Sequence, residues 1–264
     1  MDIFRIGMYE VHTMNALLFF HQGWTDIINC LPLITWYSKK YKKLYVLMRE
    51  DAWMMVQFYI RGTTNVVPIY VPKKLLGEVS WRNLVDTEHH KITHFELIAH
   101  YDAQRPDHDP YKGAYARRNA LDDAPFERLF YESYGIPYSE RVNSFVLYRD
   151  PIAEEVAYTK LIKREPYICT HTNPELQLFV NPEEGVDIVE LNQSSPMFFD
   201  YIRILQHAKA IHVIDSVWAA VCYMLDAKYG LLETVPVYLY CHRDFHRMFT
   251  EPVKRPNWTI VYPS

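Results

Sequence analysis

No stretch of the sequence approaches the ~18 consecutive apolar residues that a bilayer-crossing helix requires, so no membrane span is expected. Glycine is scarce, at 8 of 264 residues, and no Gly/Ser tract, low-complexity run or internal repeat marks a flexible linker or a solenoid. The four cysteines, Cys30, Cys169, Cys222 and Cys241, form no Cys-x-x-Cys pair, which excludes zinc ribbons and thioredoxin chemistry. They fall mostly inside apolar runs and read as buried free thiols of a reducing compartment. Neither sign of charge dominates. With a net charge of −4 and a pI near 6.3, the chain has no electrostatic footprint for nucleic acid. Its densest basic run, Lys39, Lys40, Lys42 and Lys43, reads as the solvated end of a helix, where cations suit the helix dipole. The first ten residues carry Asp2, Arg5 and Glu10 and do not make a signal peptide. These absences predict a cytoplasmic chain in which the sequons at Asn192 and Asn257 stay unmodified.

What is present is ample core material: 49% of residues are hydrophobic and 15% aromatic. Apolar runs of strand length alternate with longer helical patterns. Asn15–Phe20 (NALLFF) reads as a fully buried parallel strand, followed by a helix over residues 26–41 that contains Pro32. Strands over 43–48, 66–71 and 94–100 and helices over 52–60 and 125–134 complete a first series, with Pro68 marking an edge strand. Residues 102–118 are polar and read as a long loop. A second series runs through strands at 167–171, 186–191, 210–214 and 235–240, with helices at 196–207 and 217–227. A last apolar piece, 258–262, fits either half. The expected fold class is therefore α/β, with two doubly wound Rossmann-like domains, 1–155 and 156–264, facing a central cleft.

Ligands of such sheets bind beyond the carboxyl ends of the strands. Two such ends carry suitable chemistry. His21-Gln22-Gly23-Trp24-Thr25-Asp26 joins the first strand to its helix. Gly23 permits a tight turn, Thr25 or Asp26 can cap the helix, and the helix start offers free N–H groups. Asp215-Ser216-Val217-Trp218 joins an apolar strand to an Ala-rich helix, and there the first N–H groups suit a diphosphate or a ribose hydroxyl. Trp24 and Trp218 are candidates to stack on a sugar or base, whereas Trp36, Tyr37, Trp53 and Tyr59 read as core. Arg117, Arg118 and Arg141 fit either acceptor contact or a solvated face.

The segment 23–33 (GWTDIINCLPL) resembles the first loop and helix of the ADP-heptose:lipopolysaccharide heptosyltransferases, with Asp26, Leu31, Pro32 and Leu33 on the pattern. Residues 186–225 resemble the C-terminal signature of the same family. Residues 188–193, 208–214 and Asp215-Ser216 follow it in order. The resemblance implies a GT-B fold and a glycosyltransferase that moves a sugar from a nucleotide-sugar donor to a glycan or other hydroxyl acceptor, with inversion and without a metal or other cofactor. It implies that Asp26 is the general base, with His21 competing because its ordinary pKa lies near neutrality. It places donor binding at Asp215 and Ser216, extended to Thr170, His171, Asn192, Gln193, Val217 and Trp218, and acceptor contacts on Gly23, Trp24 and Thr25. Thr25 stands where the family has Gly, and Val217-Trp218 stand where it has Gly-Pro, and the His that follows in the family is missing from this chain. The resemblance thus points to the transferase class rather than to heptose.

Two other readings compete. His89, His90, His94, His100, Asp102, Asp107, His108 and Asp109 supply metal-ligand types for a metal-dependent hydrolase, although their spacing matches no metal signature. A non-catalytic nucleotide-sugar or glycan-binding module would keep Asp215-Ser216 and need no base.

Overall fold

A computed structural model of the protein describes residues 13–20, 22–78, 81–98, 126–132, 134–172, 180, 183–191, 197–241 and 255–262. The chain divides into two compact units, 1–146 and 147–264, so the boundary falls nine residues before the expected 155/156.

Unit 1 is built on a four-stranded, all-parallel sheet of β1 (Asn15–Phe20), β2 (Lys43–Arg49), β3 (Val66–Val71) and β4 (Ile92–Ile98), ordered β3-β2-β1-β4. The chain winds outward from β1 to β3 and then returns to the other side of β1. That reversal between β1 and β4 is what doubly wound means, and it opens a crevice at the carboxyl ends of those two strands. β1 is buried along all but its first residue, as expected of a central parallel strand. Pro68 lies on β3 at the sheet edge, where its missing N–H interrupts no second ladder.

Helix α1 (Trp24–Ser38) passes uninterrupted through Pro32. It starts two residues earlier than expected because Gly23, in extended conformation, is the N-cap, so neither Thr25 nor Asp26 caps it. It stops at Ser38 rather than 41, and the Asn65 side chain donates to the carbonyls of Ser38 (2.7 Å) and Tyr41 (2.9 Å). The unit is completed by α2 (Trp53–Ile60), the short turns α3 (Leu75–Glu78) and α4 (Trp81–Leu84), α5 (Phe126–Glu132) and α6 (Glu140–Asn143). Both α5 and α6 pack on α1. Tyr37 and Tyr59 are core as read, but Trp53 is half-exposed.

Unit 2 carries a five-stranded, all-parallel sheet of β5 (Tyr167–His171), β6 (Asp187–Glu190), β7 (Ala210–Ile214), β8 (Val237–Tyr240) and β9 (Trp258–Val261), ordered β6-β5-β7-β8-β9. Winding reverses here between β5 and β7. The helix expected over 196–207 splits into a 3-10 turn, Phe198–Tyr201, and α8 (Ile202–His207), while α7 (Pro151–Leu161) opens the unit with Asp150 as its N-cap. Helix α9 (Val217–Tyr229) has its first ten residues buried, consistent with an apolar pattern on every face. It ends at Gly230, whose φ of 64° lets its N–H return to Asp226 in a left-handed cap. The terminal apolar piece joins this sheet, because Asp226 of α9 accepts from Trp258 Nε1 (3.0 Å) at the start of β9. The Asn257 amide of the second sequon is spent on the carbonyls of Leu232 (2.7 Å) and Val235 (3.2 Å). All four cysteines are free and buried.

Candidate functional site

Each unit presents residues of the expected types at its own winding reversal. In unit 2, His171 is the last residue of β5, and Asp215-Ser216 follow the last residue of the neighbouring β7. Ser216 is the N-cap of α9, yet its side chain makes no capping bond. Its hydroxyl pairs instead with His171 Nδ1 at 2.9 Å. Both residues are buried, and burial pushes the His171 pKa down to about 4. The imidazole is therefore neutral at neutral pH. His171, read from sequence as a donor-binding residue, is here the neutral partner of a hydroxyl rather than a cation.

Asp215 is also buried, and its N–H donates to the Tyr240 carbonyl on β8 (3.2 Å). Burial, followed by the Asp215 charge, raises the Cys241 thiol to about 11. Thr170 is buried, and its carbonyl accepts from Leu191 N–H (2.7 Å) at the end of β6. Trp218 needs correction. Expected to stack on a ligand, it has no exposed surface and packs edge-on against Phe198 (5.1 Å) and Tyr201 (5.0 Å). Val217 is core as well, at 3% exposure. Both support the site from within α9. Asn192 and Gln193 lie outside the described residues.

In unit 1, His21 lies outside the described residues. Gln22 ties the ends of β1 and β2 together. Its side chain donates to the Phe20 carbonyl (2.6 Å) and accepts from Arg49 N–H (2.9 Å), while the Arg49 guanidinium donates to the Gln22 carbonyl (3.0 Å). Arg49 is buried, pairs through two nitrogens with Asp51, and lies over the Trp24 ring at 4.6 Å. The expected stacking face of Trp24 thus carries a guanidinium on one side. Gly23 sets the turn, and Trp24 and Thr25 form the first turn of α1, both half-buried. Asp26 follows in that turn, buried at 9% exposure. Its carboxylate suits the positive end of the helix dipole.

One turn further along α1, Asn29 belongs to a buried polar cluster. Arg141 has no exposed surface and donates to Asn29 Oδ1 through Nε (3.2 Å) and Nη2 (2.8 Å) and to Tyr138 through Nη1 (2.7 Å). Its Nη1 is also 3.6 Å from Glu127 Oε1. Arg141 is thus neither an acceptor contact nor a solvated residue. Arg117 and Arg118 lie outside the described residues. Glu127 is 1% exposed, and burial outweighs Arg141 in pushing its pKa up to about 7. Sequence reasoning named Gln22 in the first strand end without a role and missed Asn29, Arg49 and Glu127. Arg49 had a usable signal, since it closes an apolar strand at the carboxyl end. Glu127 had none, because Arg141 reaches it only through packing.

The alternative metal cluster does not assemble among the described residues, where no three His, Cys, Asp or Glu side chains gather to hold an ion. His90 packs on Tyr45 (4.6 Å), and His94 pairs with Glu96 (2.9 Å) and stacks on Tyr41 (5.3 Å). His100, Asp102, Asp107, His108 and Asp109 lie outside the described residues. No described helix is long and apolar enough to cross a membrane.

No protein-family model matches the chain, and no curated protein matches it either. Among solved structures, the chain is similar to E. coli ADP-heptose lipopolysaccharide heptosyltransferase II, at 11% identity and a TM-score of 0.49, over 94% of this chain and 90% of that one. It is similar to E. coli heptosyltransferase WaaC with ADP at 13% identity and a TM-score of 0.43, over 95% of this chain and 91% of that one. A third similar structure is the iron-containing dodecameric glycosyltransferase TibC from enterotoxigenic E. coli, at 11% identity and a TM-score of 0.48, over 87% of this chain and 58% of that one.

Proposed function

We propose that the protein is a glycosyltransferase that moves a sugar from a nucleotide-sugar donor to a hydroxyl acceptor, with the donor diphosphate held by unit 2 and the acceptor proton taken by unit 1. The observation that carries this reading is the start of α9. The Ser216 hydroxyl pairs with a neutral His171 instead of capping the helix. It does so at the β5/β7 winding reversal, where doubly wound sheets receive ligands. The first-turn N–H groups of a helix have no intrahelical partners, and with the helix dipole they suit a phosphate. The neutral imidazole orients the Ser216 hydroxyl beside these N–H groups.

The motif order in the sequence supports the same reading, pairing this junction with Asp26 in the first turn of α1. In the reaction, Asp26 takes the acceptor hydroxyl proton as that oxygen bonds the anomeric carbon. The bond to the diphosphate breaks, and its electron pair stays on phosphate, stabilised by the α9 N–H groups. One displacement inverts the anomeric centre. The helix terminus takes the place of a metal, so transfer is expected to persist in EDTA.

A thermal-shift panel of UDP, GDP and ADP tests the donor site, since a ligand that binds only the folded state raises the melting temperature. No response to any of the three sinks the reading. A response without sugar transfer or donor hydrolysis identifies a binding module instead.

A further inference from the structure

We propose that Arg49 is a positioning residue for the unit 1 site: its guanidinium pins the Trp24 ring at the start of α1, leaving that ring as the platform on which a sugar of the acceptor stacks. The place of the acceptor in unit 1 rests on the function proposed above. The clamp itself rests on contacts within the unit.

Arg49 is the last residue of β2, and Gln22 and Gly23 lead from the neighbouring β1 into α1. In the parallel ladder Phe19 stands opposite Leu47, so the two strands deliver Gln22 and Arg49 to the same end of the sheet. This is the carboxyl end, where ligands of such sheets bind. The two residues hold each other twice. The Gln22 side chain accepts from Arg49 N–H (2.9 Å), and Arg49 Nη1 donates to the Gln22 carbonyl (3.0 Å). Nε and Nη2 donate to the two carboxylate oxygens of Asp51, in the 3-10 turn Glu50–Ala52. These bonds hold the Asp51 carboxyl below its usual pKa, so the pair stays charged at neutral pH. With its fork fixed on two sides, the guanidinium lies over the Trp24 ring, Cζ 4.6 Å from the ring centroid.

Each of the three guanidinium nitrogens already donates within the protein, and Arg49 is buried, so it has little to offer a ligand directly. It acts through the ring it covers. A cation shielded from water is at its most favourable over the face of a Trp. Trp24, by contrast, is half-buried and keeps surface for a ligand. An indole suits the C–H face of a pyranose, whose hydroxyls remain free to hydrogen-bond and react. A ring already immobilised also costs less entropy to bind against than one the ligand must order. The same turn of α1 carries Asp26. Arg49 touches no reacting atom in this scheme.

The test reads Trp24 by NMR in the full chain, with the methyl pyranosides of glucose, galactose and mannose as acceptor probes. Before sugar is added, ring current from Trp24 should shift the Arg49 side-chain protons upfield, and Trp24→Leu should abolish that shift. Unshifted Arg49 protons overturn the proposal, and this wild-type reading needs no Arg49 variant to fold. On titration, at least one glycoside is expected to move the Trp24 indole N–H signal; no response to any of the three overturns the proposal. Arg49→Met and Trp24→Leu should each weaken that binding by about tenfold, and the double variant no more than either alone, because the first acts through the second. Losses that multiply place Arg49 elsewhere and overturn it. Arg49→Lys should not restore binding, since a point charge cannot fork onto Asp51 and cover the ring, and full rescue also counts against the clamp. In the transfer assay, Arg49→Met should raise the acceptor KM about tenfold with a smaller change in kcat. Transfer with an unaltered acceptor KM sinks this proposal and spares the transferase reading. Glycoside binding with the expected double-variant pattern, in a chain that transfers no sugar, does the reverse.

Discussion

The two units use one architecture and reverse their winding at different strands, β1/β4 in unit 1 and β5/β7 in unit 2. What they place there differs in kind. Unit 1 buries charge near its first helix, at Asp26, Glu127, Arg141 and Arg49, the last paired with the exposed Asp51. The unit 2 junction pairs two neutral groups, His171 and Ser216, at a helix start, with Asp215 buried beside Cys241. The contrast follows from the chemistry each end is proposed to do. A base must change its charge state during the reaction. An anion site works best with fixed donors that do not titrate near neutrality. Doubly wound sheets fix where a ligand sits; the charge on the strand ends decides which step that end performs.

This comparison can be broken in several ways, taken in order of expected size. Arg141→Met removes the cation beside the buried Glu127, and should cost about 3–5 kcal/mol of stability. Chemical denaturation checks it, and a loss below about 1 kcal/mol would mean that the charges behind α1 are not coupled. Asp26→Asn should lower turnover by ~10²-fold or more, with nucleoside diphosphate binding kept. Turnover like the wild type would move the base elsewhere. Ser216→Ala should weaken nucleoside diphosphate binding by about tenfold, which is ~1.4 kcal/mol, and leave turnover at saturating donor nearly unchanged. Calorimetry with the diphosphate reads the first effect, and a fall in turnover instead would give Ser216 a part in the chemical step.

The smallest effect is one of sign. Glu127 has a folded pKa of about 7 against an ordinary 4.5, so its stabilising contribution is whole below pH 4.5 and is lost as pH rises through 7. His171 has a folded pKa of about 4 against 6.5, so its contribution is whole above pH 6.5 and is lost as pH falls toward 4. Between these limits the two groups push their units in opposite directions. Hydrogen exchange read separately on α5 and α9 should show each slope, flattened by Glu127→Gln in unit 1 and by His171→Asn in unit 2. Equal slopes in parent and variants would show that neither side chain contributes.

Much of the α/β alternation was legible because strand and helix patterns depend on neighbours in sequence. β5 and β7 fall on the residues read for them, and Pro68 marked the edge strand from its missing N–H alone. Boundaries set by caps were less legible. Gly23 displaced Thr25 and Asp26 as the cap of α1, and the Asn65 amide, held 27 residues away, meets the carbonyl where that helix stops. Partner choices were not legible at all. Trp218 read as a stacking platform from its place after Ser216, but a helix buried on every side turns it into core. Arg141 read as either an acceptor contact or a solvated cation, but it is buried against Asn29 and Glu127.

The sequence by itself determined that there are two strand-helix series, where β1, β3, β5, β7 and β8 end, and that Asp26 and Ser216 follow two of those ends. Periodicity, turn residues and motif order are local properties and survive without coordinates. Tertiary structure alone decided the strand order, hence which ends adjoin a winding reversal. It also decided the charge states, because burial and partners from distant segments make His171 neutral and hold a proton on Glu127 toward neutrality. A pKa depends on the groups that close in from elsewhere in the chain, and those are selected by packing.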